Sequence, residues 1–218
     1  MRKPLIWGVA LGVLVLLITD AVATRSGLVG GAIPRTEGPW AWTSSRAAGI
    51  AAYFALALDV IFGLFISTGS ADRWIARART IEIHQWLSAA TLTLVAAHVL
   101  LLLGDGFVRF DALDAIVPFI APYSPVAVGL GVLAAYGAFA VHWSFSLRRM
   151  IGGATWRKLH YLTFVVFLLA TAHGVIAGTD ARLPWIGAMY PAAASAVTAL
   201  LVYRFFPMPR KLARAGTR

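Results

Sequence analysis

The sequence contains no cysteine. This absence excludes disulfide bonds, iron–sulfur clusters held by thiolates and covalently attached c-type haem. Charge is also scarce, because charged residues make up only 13% of the 218 residues, against about a quarter in soluble domains. Hydrophobic residues make up 60%. A chain this apolar is predicted to lie in a membrane.

Several apolar runs reach the roughly 20 residues that a helix needs to cross the hydrocarbon core. The sequence therefore predicts an all-α membrane protein, a bundle of six transmembrane helices that forms a single domain over residues 1–218. The expected spans are residues 5–23, 46–68, 81–103, 126–147, 156–178 and 185–206. A cleaved signal peptide is the alternative for the first span, since Ala21, Val22 and Ala23 resemble a cleavage site.

The charges that are present are mostly positive, with 19 Lys and Arg against 9 Asp and Glu. They flank the apolar runs, as the positive-inside rule requires, so we expect a membrane lipid environment and no nucleic-acid partner. All Lys and Arg residues lie on one predicted side except Arg25, Arg35, Arg46, Arg109 and Arg182. This bias predicts that both termini are cytoplasmic and that the third and fifth spans run parallel, from inside to outside.

The third and fifth spans each carry two histidines, one near each end. Histidine is costly inside a membrane and by default marks a functional site. His84 and His98 are fourteen residues apart, and His160 and His173 thirteen. We therefore expect two pairs at matching depths, about 20 Å apart along the helices: an inner pair (His84 and His160) and an outer pair (His98 and His173). A b-type haem takes one imidazole on each face of its iron, so the pairs are predicted to be the axial iron ligands of two haems.

The angular positions support this pairing for only one of the two spans. Fourteen residues at about 100° each bring His98 back to within about 40° of His84. Thirteen residues leave His173 about 140° from His160 on an ideal helix. A bend, a π-bulge or a tilt of the helix is needed in the fifth span, and Gly174 makes a local adjustment less costly.

Other interpretations stay open. The histidines could be interhelical hydrogen-bond donors and acceptors without a cofactor. The chain could also be a non-redox transporter or a scaffold subunit that uses these histidines and Asp59, which lies in the middle of the second span. Asp59 itself fits a proton relay, a hydrogen bond to a haem ligand, or a protonated carboxyl bonded to a neighbouring helix. His142 is expected at the membrane interface.

Haem carries two propionates, which need cations or polar donors. The sequence offers such groups near the inner level at Arg79, Arg157 and Lys158, and near the outer level at Arg109, Arg182 and Tyr123. Their alternative role is to fix the topology, which already accounts for the inner set.

Two stretches, IEIHQWLSAATLTLVAAH from Ile81 and WRKLH from Trp156, together with the fourteen- and thirteen-residue histidine spacings, resemble the ferric reductase-like transmembrane domain family. The resemblance covers the second to sixth spans. It implies that His84 pairs with His160 and that His98 pairs with His173. It also implies a multi-pass protein of the bacterial cytoplasmic (inner) membrane, similar to the haem-binding membrane subunits of oxidoreductase systems.

The family includes NADPH oxidases. The present chain departs from them, because we expect no flavin- or nicotinamide-binding domain after the sixth span. The resemblance therefore implies a membrane conduit that takes electrons from a separate flavoprotein or from quinol. The acceptor on the outer side would be a partner reductase, ferric iron or oxygen. Some relatives also bind a flavin, and the sequence has no motif that decides this for the present chain.

Overall fold

A computed structural model describes residues 39–206, except residues 107 and 109. This part of the chain forms seven α-helices and one 3₁₀ turn at Thr179–Arg182. The helices are α1 (Trp40–Thr68), α2 (Arg77–Leu103), α3 (Ala112–Ile116), α4 (Pro125–Ile151), α5 (Gly153–His160), α6 (Leu162–Ala177) and α7 (Pro184–Phe205). The architecture of the described chain is thus all-helical, as the composition predicts.

Five helical segments are long and apolar enough to cross a membrane: α1, α2, α4, α5 together with α6, and α7. Their number and hydropathy are consistent with a multi-pass membrane protein. The predicted first span, residues 5–23, lies outside the described residues, so the count of six and the orientation of the termini stay predictions. The helices start earlier than expected; α1 begins at Trp40 rather than at residue 46, because Thr43, Ser44 and Ser45 continue the helix ahead of the apolar run.

Two antiparallel helix pairs make up most of the bundle. In the first, Ser45 of α1 contacts His98 of α2 while Asp59 contacts His84, so the two helices run in opposite directions. In the second, α4 packs against α6. Apolar residues of α1, α6 and α7 join these pairs in one buried cluster, which includes Tyr53, Leu56, Val60, Leu64, Val166, Phe167, Ile186, Tyr190 and Val197. Within this arrangement α2 and α6 run parallel, as predicted.

The fifth span is broken at Tyr161, directly after His160. The amide of Tyr161 donates to the carbonyl of Lys158 at 3.2 Å, and the amide of Phe164 donates to the carbonyl of Tyr161 at 3.1 Å. These bonds reach back three residues, as in a 3₁₀-helix, which turns by about 120° per residue instead of about 100°. The extra rotation has the sign needed to move His173 toward the face of His160. At about 20° of extra rotation per residue, the break contributes part of the roughly 140° that an ideal helix lacks, at a place with neither proline nor glycine.

The connection between α2 and α4 covers one end of the bundle. Asp111 caps α3 by accepting from the amides of Leu113 and Asp114. Phe110, Ala112 and Ala121 pack on Leu103 at the end of α2. Ala121, which ends the apolar segment 115–121, therefore lies over this end of the bundle.

Candidate functional site

The structure brings the four intramembrane histidines together as two pairs. The ring centroids of His84 and His160 lie 6.2 Å apart, with the ring planes at 81°. Those of His98 and His173 lie 6.3 Å apart, with the planes at 73°. Each pair joins α2 to the fifth span, and the partners are the ones that the predicted depths assign.

Three of the four imidazoles are fixed through Nδ1 by a backbone carbonyl of a neighbouring helix. His98 Nδ1 donates to the carbonyl of Ser45 at 2.8 Å, and His173 Nδ1 donates to that of Ala127 at 2.8 Å. His84 Nδ1 lies 3.1 Å from the carbonyl oxygen of Asp59. A carbonyl oxygen only accepts, so the hydrogen of each neutral ring sits on Nδ1. Nε2 is left with a lone pair on the far side of the ring, which is the form that binds a metal.

The separation of the rings fits a metal held between two imidazoles. A bond between a transition metal and an imidazole nitrogen is about 2 Å long, so two such bonds on opposite sides of one metal place the nitrogens about 4 Å apart and the ring centroids about 6 Å apart. The observed distances of 6.2 and 6.3 Å agree with this value.

The ligand count fits haem better than a bare ion. Across the residues that the structure describes, no group of three or more His, Cys, Asp or Glu side chains could hold a metal ion. A bare transition-metal ion needs more protein ligands than two histidines supply. In a haem the ring nitrogens already coordinate the iron, so the protein needs to supply only the ligands on the two faces. Each pair has two imidazoles that could do this.

The inner pair has a carboxylate beside it. Asp59 is buried, and its Oδ1 atom lies 2.7 Å from His84 Nδ1. The contact is a close electrostatic one and not a hydrogen bond, because Asp59 Oδ1 has no hydrogen-bond partner in the described chain and His84 Nδ1 donates to the Asp59 carbonyl. Of the roles considered for Asp59, this placement favours association with a ligand histidine, since a nearby carboxylate raises the basicity of a metal-binding imidazole. The partner ring is held differently: His160 stacks on Trp156 at 5.0 Å, and its Nδ1 atom has no hydrogen-bond partner in the described chain.

A cavity lies against both rings of the outer pair. Most of its lining is apolar, and α4 contributes the small residues Gly131, Ala134, Ala135 and Ala138. Small residues allow a flat apolar group to approach a helix closely. Polar groups on the same lining include Arg46, Asp180 and Tyr123. Arg46 Nε donates to Asp180 Oδ2 at 2.6 Å, and a second nitrogen of the same guanidinium pairs with Oδ1. The apolar lining suits a flat macrocycle, and the guanidinium on its wall is already balanced by the Asp180 carboxylate.

The four described cations that the sequence suggested for the propionates are all exposed. Arg79 is exposed and ion-paired with Glu82 at 3.1 Å, and Arg157 and Lys158 are exposed on α5. Arg182 is exposed in the 3₁₀ turn, and Arg109 lies outside the described residues. Among described residues, no hydrogen bond or ion pair joins Arg79, Arg157 or Arg182 to a histidine. Among the described members of the suggested set, Tyr123 alone lines the cavity, and it donates to the carbonyl of Ala177 at 3.3 Å.

Sequence reasoning missed several residues at the two pairs. Arg46 was assigned only to topology, although its place at the end of the second span, at the depth of His98, could have suggested the outer site. The carbonyls of Ser45 and Ala127 carry no signal in the sequence, because any residue has one. His142 was expected at the interface. Its Nδ1 atom lies 2.9 Å from the hydroxyl of Ser88, which follows His84 by one turn of α2.

Comparison with protein-family models, with curated proteins and with solved structures finds no match for this chain. The resemblance to the ferric reductase-like transmembrane domain family therefore stays a prediction that rests on the histidine spacing and its two sequence stretches.

Proposed function

We propose that the chain is a b-type di-haem transmembrane electron-transfer protein of the ferric reductase-like family. In this proposal His84 and His160 ligate the inner haem, and His98 and His173 ligate the outer haem. The observation that carries the proposal is the spacing of the two pairs, because both ring separations match two axial bonds to one metal. One such pair could arise by helix packing alone. Two pairs of the same geometry in parallel helices favour the same role for both, namely binding of a metal-containing cofactor.

Each part of the chain has a role in this function. The bonds from Nδ1 to backbone carbonyls keep Nε2 available as a ligand at three of the four positions. The helix α2 and the fifth span, made of α5 and α6, set the pairs about 20 Å apart, by a rise of about 1.5 Å per residue. When bound, each haem supplies a centre that accepts and releases one electron. Two centres at different depths divide the hydrocarbon core of about 30 Å into shorter transfers.

The direction of transfer and the partners follow from the predicted topology and the family resemblance. The donor is a cytoplasmic flavoprotein or quinol, and the acceptor on the outer side is a partner reductase, ferric iron or oxygen. The chain thus acts as the haem-binding subunit of an oxidoreductase system in a bacterial cytoplasmic membrane. Flavin binding to this chain is left open, because no described feature favours it.

The first experiment is a reduced-minus-oxidised absorbance spectrum of the purified protein, with a pyridine haemochrome assay for haem per chain. About two b-type haems per chain are expected. About one haem would mean that one pair is not a bis-histidine site, and the single-histidine variants described in the Discussion would identify which. No haem after expression with ample haem supply would overturn the redox proposal and favour a transporter or scaffold that uses the histidines and Asp59.

A further inference from the structure

Three of the four histidine rings lie against a glycine of the neighbouring helix. A Cβ atom placed on Gly131 would be 2.7 Å from His173 Nδ1, and one on Gly49 would be 3.0 Å from His98 Nδ1. A Cβ atom on Gly63 would be 3.3 Å from His84 Cε1. The first distance is shorter than real Cβ atoms show, and the other two are tighter than nine in ten real Cβ contacts, so the rings approach these helices more closely than a side chain at the same position readily allows.

Each glycine stands in a fixed relation to the carbonyl that accepts from the same ring. The acceptors are Ser45, Asp59 and Ala127, and each precedes its glycine by four residues. In an α-helix the amide of residue i+4 donates to the carbonyl of residue i, and the Cβ atom of residue i+4 leans back toward that carbonyl. A glycine at i+4 therefore uncovers the carbonyl, whose second lone pair can accept from an imidazole while the first keeps the helical bond.

We propose that Gly49, Gly63 and Gly131 are positioning residues for the ligand histidines. Each glycine opens the helix surface at one carbonyl, so that the facing ring approaches, donates from Nδ1 and presents Nε2 to its partner across the pair. The proposal rests on the proposed di-haem function, for which it names the residues that orient three of the four ligands.

The arrangement repeats along α1. Gly49 and Gly63 are fourteen residues apart, as are His98 and His84 on the antiparallel helix α2. The same contact therefore occurs at both depths after the same number of residues in each helix. Gly131 reproduces the contact between α4 and α6 at the outer level, so the two outer ligands are each held by a glycine on a different helix.

His160 is the exception and provides an internal comparison. Its Nδ1 has no hydrogen-bond partner in the described chain, and its ring stacks on Trp156 beside the break at Tyr161. The proposal assigns glycine positioning to both ligands of the outer pair and to one ligand of the inner pair.

The three Cβ distances predict a graded response to alanine. At Gly131 the ring has to move, because 2.7 Å is shorter than any ordinary contact. At Gly49 the ring is pressed at 3.0 Å, and at Gly63 a shift of a few tenths of an ångström relieves the contact at 3.3 Å. The expected order of disturbance is Gly131→Ala, then Gly49→Ala, then Gly63→Ala.

The test compares the three alanine variants with the wild-type full chain, by haem content per chain and by low-temperature electron paramagnetic resonance of the oxidised haems. Gly131→Ala is expected to lower outer-haem occupancy at least twofold or to shift the g-values of that haem, and Gly49→Ala to cause a smaller change of the same kind. Gly63→Ala is expected to shift only the signal of the inner haem.

Gly137→Ala is the matched control on α4. A Cβ atom there would be 2.5 Å from Val166 Cγ2 and faces no histidine, so we expect lower thermal stability with both haem signals unchanged. The proposal is overturned if Gly131→Ala and Gly49→Ala keep wild-type signals, or if Gly137→Ala disturbs the outer haem as much as Gly131→Ala does. If Gly131→Ala fails to fold, the milder Gly63→Ala decides, since an unchanged inner signal contradicts the proposal. Absence of haem from the wild-type protein would instead refute the di-haem function itself.

Discussion

The inner and outer histidine pairs have almost the same ring separation but are held in different ways. In the outer pair both rings donate through Nδ1 to backbone carbonyls, one on α1 and one on α4. In the inner pair only His84 is fixed in this manner, and it also contacts the carboxylate of Asp59. Its partner, His160, sits at a helix break and stacks on Trp156.

The difference separates two tasks that a ligand pair requires. The distance between partners is set by the packing of whole helices, and it is the same at both levels. Ring orientation and protonation are set locally, by the atom that meets Nδ1. The outer pair is oriented by neutral backbone groups on both sides, whereas the inner pair combines one carboxylate contact with one ring that lacks a hydrogen-bond partner on Nδ1. We expect the two sites to differ in haem retention and in reduction potential.

The largest expected effect comes from removing a ligand. His98→Ala or His173→Ala should reduce haem from about two per chain to about one, by loss of the outer haem, because a single axial imidazole no longer holds it. His84→Ala should remove the inner haem instead. The pyridine haemochrome assay and the reduced-minus-oxidised spectrum measure both outcomes.

His142→Ala is the control for these variants, since His142 contacts Ser88 and is not a member of either pair. It should retain both haems. Full haem content in both His98→Ala and His173→Ala would contradict the pairing, and so would loss of a haem from His142→Ala.

A second prediction concerns the cations. Arg46 lines the cavity at the outer pair, whereas Arg182 is exposed in the 3₁₀ turn. If a propionate meets the Arg46 guanidinium, Arg46→Ala should speed dissociation of the outer haem by roughly tenfold, the equivalent of about 1.4 kcal/mol. Haem transfer to an excess of a haem-scavenging apoprotein gives the rate, and Arg182→Ala serves as the matched control. Equal rates of haem dissociation in Arg46→Ala and Arg182→Ala would contradict a role for Arg46 at the outer haem.

The sequence was sufficient for those features of the fold and site that depend on regular helical geometry. Apolar runs predicted the spans, and the rise per residue predicted which histidines share a depth. The break at Tyr161 was not predictable from local residue types, because the stretch from Arg157 to Phe164 contains no helix breaker.

Side-chain direction was harder to predict than depth. Arg79, Arg157 and Arg182 were suggested by their level in the membrane, but the face on which a long side chain lies depends on which helices pack beside it. The glycine contacts did have a sequence signal: the fourteen-residue interval from Gly49 to Gly63 equals that from His84 to His98. This equality becomes meaningful only when α1 and α2 are known to be antiparallel neighbours.

A third prediction sharpens the inner-site side of the comparison. A carboxylate 2.7 Å from a ligand histidine raises the basicity of the imidazole and adds negative charge, which favours the oxidised haem. Asp59→Asn should therefore keep the inner haem and raise its midpoint potential by tens of millivolts, where about 59 mV corresponds to a tenfold change in a one-electron equilibrium. Potentiometric titration resolves the two haems. Asp180→Asn, at the outer level, should leave the inner midpoint unchanged, and equal shifts of both haems in Asp59→Asn would refute a local effect.

The smallest expected effect comes from changing Ser45. This change tests whether the backbone carbonyl or the side chain of Ser45 positions the His98 ring. The Ser45 hydroxyl donates to the carbonyl of His98 at 2.9 Å, and its oxygen also lies 3.0 Å from His98 Nδ1. The ring makes its shorter hydrogen bond, at 2.8 Å, to the backbone carbonyl of residue 45. Ser45→Ala removes only the hydroxyl, and the His98 carbonyl keeps its helical hydrogen bond. We expect the free energy of unfolding to fall by about 1 kcal/mol, with full haem content and an unchanged outer-haem signal. Denaturant unfolding in detergent and electron paramagnetic resonance test this.

Loss of the outer haem from Ser45→Ala would show that the Ser45 hydroxyl positions His98. The outer site would then depend on a side chain, as the inner site does on Asp59. The main difference between the two pairs would disappear.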